Sequence, residues 1–224
     1  MRLLLIRHGE TSSNLAGALD TALPGAALTP RGEAQAAALA TALAQGEVGA
    51  IYTSPLLRAR STAETLGAAL GLEVLAHRGL AEIGAGAIEM RTDESSTRRY
   101  VGYMLRWMQG DLAFRIPGGT SGHEFLDSFT GALTSIATKQ SGRGSVAVVT
   151  HGAAMRVFVA LRAGLGVDDT EQMWVENTGM AVVEFEAPDS WRLLQWVPQP
   201  VGAAYLRDED RAAGERVPVA SHSS

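Results

Sequence analysis

Short apolar runs alternate along this chain with longer stretches in which apolar residues return every three or four positions. The first run, within Arg2 to Arg7, stops at Gly9 and predicts a strand buried on both faces. Thr29-Pro30 predicts a helix start, with Thr as N-cap and Pro at the first helical position. An Ala-rich helix follows to about Gln45, with Leu39 and Leu43 on one face. Ala50 to Thr53 predicts a second buried strand, and Ser54-Pro55 is expected to open another helix in the same way. Ala59, Ala63, Leu66 and Leu70 form that helix's stripe, and Gly71 stops it. Leu72 to Ala76 is a weaker third strand. From His77 to Glu94 periodicity is lost, the pattern of a functional or mobile segment. Tyr100, Tyr103, Met104, Trp107 and Met108 then recur at helical spacing. Ser121-Gly-His-Glu124 reads as a capping box before a helix striped with Phe125, Phe129, Leu133 and Ile136. Ser145 to Thr150 is the clearest buried strand; His151-Gly152 ends it, and a helix follows with Ala154, Val157, Phe158 and Leu161 facing inward. Gly179 to Glu186 and Trp191 to Val197 alternate as a terminal hairpin.

Strands alternating with helices imply an α/β fold: a three-layer α/β/α sandwich with a mostly parallel sheet and a C-terminal antiparallel hairpin. One domain is expected over 1–199, with 77–120 as a lid inserted in it and 200–224, charged and Pro/Gly-punctuated, as a disordered tail. In such sheets ligands bind outside the carboxyl ends of the strands. Arg7-His8-Gly9 and His151-Gly152 both follow strands directly, so two histidines remote in sequence are expected to meet in one crevice.

Composition narrows the chemistry. The 224 residues are 46% apolar, enough for a sizeable core. A net charge of −5 without any Lys/Arg block argues against nucleic acid or an anionic membrane as partner. With no cysteine there is no disulfide, thiol nucleophile or Cys-type zinc site. The opening apolar run is too short for a signal peptide or a membrane span, so a cytoplasmic protein is expected. Abundant Ala, Gly and Arg with little Lys suggests a bacterial source.

The segment Arg7-His8-Gly9-Glu10-Thr11-Ser-Ser-Asn14 resembles the signature of the histidine phosphatase superfamily, the phosphoglycerate mutase-like proteins. Ser54-Pro55-Leu-Leu-Arg58-Ala-Arg-Ser-Thr62-Ala-Glu64 resembles that family's second arginine segment. Leu80-Ala-Glu82-Ile-Gly-Ala-Gly86-Ala-Ile-Glu89 is similar to its acid loop, Pro117-Gly-Gly-Thr120 to a turn before a long helix, and Thr150-His151-Gly152 to its second histidine motif. The five elements fall in the family's order across roughly Met1 to Val197.

The resemblance implies a phosphohistidine mechanism, and the residue types suit it. A histidine nucleophile must be neutral, and Arg7 and Arg58 nearby disfavour its protonated form. One ring nitrogen must be held so that the other points at phosphorus; the resemblance assigns that task to the Gly9 carbonyl. Arg7, Arg58 and His151 form the expected clamp on the transferring phosphoryl group, with donors from Asn14, the backbone near Thr11, and Gly152. Glu82 is the candidate general acid, later the base for water, although Glu89 and Glu94 share its loop. No metal or other cofactor is implied. The expected partners are a small phosphorylated metabolite and inorganic phosphate as product, and a homodimer is the default assembly.

Three departures from the family surround the substrate rather than the clamp. Met90 replaces the glycine after Glu89, Leu15 to Leu28 is almost wholly small or apolar, and Thr120-Ser121 follows Pro-Gly-Gly. Arg91, Arg98 and Arg99 either read an anionic substrate or form a solvated basic face. His123 is a first-turn helix residue or faces the pocket mouth, and His77 and His222 are expected to be exposed. Phosphomonoester hydrolysis is the leading reading. A phosphoglycerate mutase and a non-catalytic phosphate-binding relative are the alternatives.

Overall fold

The computed structural model describes residues 1–164, 174–187 and 190–203. Six strands form one sheet: β1 (Arg2–Arg7), β2 (Val48–Thr53), β3 (Val74–Ala76), β4 (Ser145–Thr150), β5 (Met180–Ala187) and β6 (Ser190–Val197). Their spatial order is β3-β2-β4-β1-β5-β6. β1, β2, β3 and β4 pair in parallel, whereas β5 runs antiparallel to β1 and carries β6 as an antiparallel partner. The mostly parallel sheet with a terminal hairpin is therefore what forms.

The helices are α1 (Ser12–Ala16), α2 (Pro30–Leu43), α3 (Leu57–Leu70), α4 (Glu94–Met108), α5 (Gly122–Lys139) and α6 (Gly152–Arg162). Period-two alternation in the central strands sorts the core into two layers. Leu3 and Leu5 of β1, with Val146 and Val148 of β4, face α4, α5 and α6 and meet Trp107, Phe129 and Phe158. Ile6, Ala147 and Val149 face the opposite side and meet Leu39 of α2 and Ala59, Ala63 and Leu66 of α3. Full burial of an apolar side chain stabilises by about 1.5–3 kcal/mol, so both faces of β1 and β4 are anchored. Among the described residues no helix is long and apolar enough to cross a membrane.

Local signals place most helix starts. The Thr29 hydroxyl accepts from Gly32 N with Pro30 in the first turn, and Ser121 and Glu124 make both bonds of a capping box. The start read at Ser54-Pro55 is corrected. α3 begins at Leu57 with Leu56 as an N-cap that makes no side-chain bond. The Ser54 hydroxyl is taken up by His151 and by Leu56 N, so it is not free to cap a helix. The five-residue α1 is an addition, too short to show a periodicity; Thr11 and Asn14 form its capping box, and Gly17 ends it in the left-handed region. At the other end, Ala203 is fully buried and Gly202 packs against α2, so ordered packing continues past 199. The expected tail from 204 onward, including His222, lies outside the described residues.

One close approach locks the loop after β1 onto α2. A Cβ on Gly32 would lie 2.1 Å from the Glu10 carbonyl oxygen, and one on Gly9 would lie 2.6 Å from the Gly32 carbonyl oxygen. Backbone oxygens have no rotamer by which to yield. Gly32→Ala is therefore expected to lower the unfolding free energy by about 1–3 kcal/mol, the scale of overpacking. Urea denaturation alongside Gly46→Ala, whose added Cβ meets only ordinary contact at 3.6 Å, checks this. Equal midpoints for Gly32→Ala and wild type would show that the loop and α2 separate freely.

Candidate active site

The carboxyl ends of β1 and β4 are adjacent, with Arg7 opposite Thr150 in the register. The residues that follow, His8 and His151, are thereby brought together, and their rings lie 5.2 Å apart in an edge-on arrangement. A cleft of about 480 Å³ opens above them, lined in part by Arg7, His8, Asn14, Arg58, Glu82 and Gly152.

His8 is held at both ring nitrogens. Nδ1 donates to the Gly9 carbonyl at 2.7 Å, and Nε2 accepts from Arg58 Nε at 2.9 Å. A guanidinium has only donors, so Nε2 carries no proton, and its lone pair is engaged by Arg58 Nε. Arg58 is buried early in α3; its Nη2 donates to the Asp20 carbonyl at 2.9 Å, and its Nη1 lies 3.9 Å from the Asp20 carboxylate. That Nη1 is buried with no hydrogen-bond acceptor among the described residues. Arg7 Nη1 donates to the Val175 carbonyl at 2.7 Å, and its guanidinium sits 5.4 Å from the Trp174 ring centre.

His151 is fully buried beneath this rim, with Nε2 at 2.7 Å from the Ser54 hydroxyl and Nδ1 without a partner among the described residues. Glu82 caps the N-terminus of α6: Oε1 accepts from Ala154 N at 2.9 Å, and Oε2 accepts from Ala153 N at 3.4 Å. Glu82 lines the cleft within reach of the Arg58 charge. Glu89 instead accepts from Thr21 N and Ala22 N, while Glu94 stands at the cleft wall on α4. Asn14 Oδ1 accepts from the Thr11 N–H and from Asn177 Nδ2, which takes up the Thr11 backbone donor.

Burial and the guanidinium charges act together on the two histidines and against each other on Glu82. Burial, then the Arg58 guanidinium, His151 and Arg7, push the His8 imidazole well below its usual 6.5, against the raising effect of the Gly9 carbonyl. His151 is lowered in the same way by burial, Arg58 and Arg7. Burial raises the Glu82 carboxyl above its usual 4.5, although the Ile83 N–H, Arg58 and the α6 N–H groups pull it back. His8, biased toward its neutral form, and the Glu82 carboxyl, biased toward its acid form, line the cleft with the Arg7 and Arg58 guanidinium groups, while the neutral-biased His151 lies buried beneath it. Among the described residues no cluster of three or more His, Asp or Glu side chains is placed to hold a metal ion.

Several neighbours escaped the sequence reading. Ser54, whose local pattern predicts a helix cap, instead bonds His151. Asp20, beside Arg58, lies in a stretch read only as small and apolar. Asn177 Nδ2 donates to the His8 carbonyl at 2.9 Å, and Thr178 N donates to the Arg7 carbonyl at 3.0 Å with Thr178 at φ 60°. A β-branched residue in that region costs on the order of 1–3 kcal/mol, and no sequence signal marks it. Arg91 pairs with Asp93 and Arg98 with Glu94, while Arg99 and His123 are exposed; none of the four lines the cleft. His77, expected to be exposed, is half-buried, with Nδ1 accepting from Gly79 N at 3.1 Å.

The sequence model of the histidine phosphatase superfamily (branch 1) matches residues 3–198. The PE-PGRS family protein PE_PGRS11 of Mycobacterium tuberculosis is 33% identical over 220 residues, covering 90% of this chain; the chain spans only 37% of that protein's length. The probable phosphoglycerate mutase GpmB of Escherichia coli O1:K1 / APEC is 29% identical over 206 residues, covering 90% of this chain and 93% of that one. Among solved structures, a mycobacterial glucosyl-3-phosphoglycerate phosphatase complexed with VO3 superposes with a TM-score of 0.74 at 25% identity, covering 88% of this chain and 99% of the other. A phosphoserine phosphatase mutant from Entamoeba histolytica bound to phosphoserine gives a TM-score of 0.68 at 25% identity, covering 88% and 96%.

Proposed function

The chain belongs to the histidine phosphatase superfamily (branch 1), and on that premise we propose that it is a metal-independent phosphomonoester hydrolase acting on a small phosphorylated metabolite through a phosphohistidine at His8. One observation carries the reading: His8, with Nδ1 held by the Gly9 carbonyl and Nε2 an unprotonated acceptor for Arg58 Nε, lines a cleft whose inner end also carries the guanidinium groups of Arg7 and Arg58.

In the first step the Nε2 lone pair attacks phosphorus. The P–O bond to the alcohol breaks, and the leaving oxygen takes the Glu82 proton. Arg58 must first release Nε2, which turns its donors toward the phosphoryl oxygens, where its unpaired Nη1 also finds an acceptor. Arg7, Asn14 and the unpaired Nδ1 of His151 complete the clamp, and negative charge growing on the oxygens strengthens each contact. In the second step ionised Glu82 takes a proton from water as the water attacks phosphorus, and phosphate leaves as Nε2 recovers its lone pair. Segment 77–120, which supplies Glu82, Tyr100 and Met104 to the wall, acts as the cover over this chemistry.

Glu82→Gln separates the proton donor from the clamp. With alkyl phosphates, whose leaving groups need a proton, kcat/KM is expected to fall about 10²–10⁴-fold. With p-nitrophenyl phosphate the loss is expected to be small. The sign of the pH dependence follows, because Glu82 must be protonated in the first step: wild-type activity on alkyl phosphates falls as pH rises through the Glu82 pKa, and the fall is shallower for nitrophenyl phosphate. Equal losses for both substrates would remove Glu82 from the acid role.

The mutase-type relative favours a second reading, phosphoryl transfer between hydroxyls. Phosphate release from 3-phosphoglycerate, measured beside its isomerisation with a bisphosphate primer, decides between the two. The hydrolase releases phosphate with little isomer, and efficient isomerisation with little phosphate would make the mutase reading the correct one.

A further inference from the structure

The hydrolase reading leaves the leaving alcohol undefined, and the rest of the cleft bears on it. Resting on that reading, we infer that the natural ester joins phosphate to a predominantly apolar alcohol that carries no second anionic group.

The cleft of about 480 Å³ extends well beyond the room that one phosphoryl group occupies. Its outer wall carries apolar side chains, Leu15, Ala18 and Leu19 from α1 and the turn after it, Val101 and Met104 from α4, and Trp174, interspersed with Thr21, Thr92 and Thr97. Leu15, a large apolar side chain in the cleft lining, is 53% exposed. Pockets of this kind bind the apolar body of a ligand and fix its orientation with a few polar groups. Here those groups sit at the inner end, where Arg7, Arg58 and Glu82 meet the phosphate.

The charges point the same way. Among the described residues, Arg156 is the one cation of the wall outside the phosphate clamp, set against the carboxylates of Asp20 and Glu94. No lysine lines it, and the arginines nearest on α4 and its approach are turned outward: Arg91 pairs with Asp93, and Arg98 pairs with Glu94. A carboxylate or second phosphate on the alcohol would be desolvated beside the carboxylates of Asp20 and Glu94, which is costly unless it is paired. An alkyl or aryl body loses only its contact with water, and each buried methylene is worth about fourfold in binding.

The test measures phosphate release from straight-chain alkyl phosphates, butyl to octyl and below their micelle concentrations, beside 3-phosphoglycerate, glycerol 3-phosphate and p-nitrophenyl phosphate. kcat/KM is expected to rise about two- to fourfold per methylene, until octyl phosphate exceeds 3-phosphoglycerate by about 10²-fold. Val101→Lys, which puts a cation on the exposed side of α4 facing the cleft, is expected to flatten the chain-length dependence and shift the octyl-to-phosphoglycerate ratio at least about tenfold toward the acid. Turnover of p-nitrophenyl phosphate together with a flat alkyl series, or with 3-phosphoglycerate as the better substrate, would overturn the apolar assignment and leave the hydrolase reading standing. No release from any ester, p-nitrophenyl phosphate included, would remove the hydrolase reading and this inference with it.

Discussion

His8→Ala is expected to abolish turnover, with kcat falling by about 10⁴-fold or more, the scale seen when a covalent nucleophile is removed. The prediction is large because no other group in the cleft can replace Nε2. His151 lies beneath the rim with its own Nε2 engaged by Ser54, and Glu82 is held at the N-terminus of α6. Loss of fold is ruled out by a separate readout. The pKa of His8 is held well below its usual 6.5, so the native state resists its protonation. A base with a depressed folded pKa subtracts stability as pH falls below its unfolded value, until the folded value is reached. His8→Ala removes one such group, so its melting temperature is expected to fall less steeply than wild type's as pH drops below 6.5, while His151 keeps some of the slope. A folded variant with this shallower acid slope and no activity fits the nucleophile role. A variant that keeps wild-type trace activity across a panel of phosphate esters would favour a non-catalytic phosphate-binding protein.

Arg58→Ala is expected to cost about 10²–10³-fold in kcat/KM, the loss attached to one transition-state donor in a water-poor site. Arg58 does two things at once. It presents a buried Nη1 with no hydrogen-bond acceptor among the described residues, and its charge, after burial, is the largest cause of the lowered His8 pKa. Removing the charge lets His8 take up a proton more readily, so the acid limb of the kcat/KM profile should move to higher pH. Arg58→Lys keeps a charge but loses the planar fork and the Nε–H bond to His8, so it should restore the acid limb better than the rate. Loss of activity with an unmoved acid limb would show that Arg58 acts on the substrate alone. A variant as active as wild type would remove it from the clamp.

Much of this site was legible because its chemistry sits where strands end. The apolar runs Arg2–Arg7 and Ser145–Thr150 are short, uninterrupted and closed by His-Gly, and parallel pairing then forces His8 and His151 together. Arg58 and Glu82 follow from motif resemblance, and both side chains line the cleft. What stayed hidden came from contacts with no local sequence pattern. Asp20 meets Arg58 across 38 residues, and Asn177 reaches the His8 carbonyl across 169. Ser54 misled because Ser-Pro is a good helix opening, yet a hydroxyl at the end of β2 faces the neighbouring strand's histidine, and the tertiary bond won over the local one. The arginines at 91, 98 and 99 were ambiguous for a related reason: sequence does not say which face of an approach or a helix meets the cleft.

Rapid mixing of enzyme with p-nitrophenyl phosphate, alkaline quench and peptide mass mapping tests the phosphohistidine most directly, since that linkage survives base and is lost in acid. One phosphoryl group on the peptide containing His8, formed in step with a burst of nitrophenol and absent from His8→Ala, is the expected result. Steady turnover with no phosphoryl group on any peptide would contradict covalent catalysis at His8.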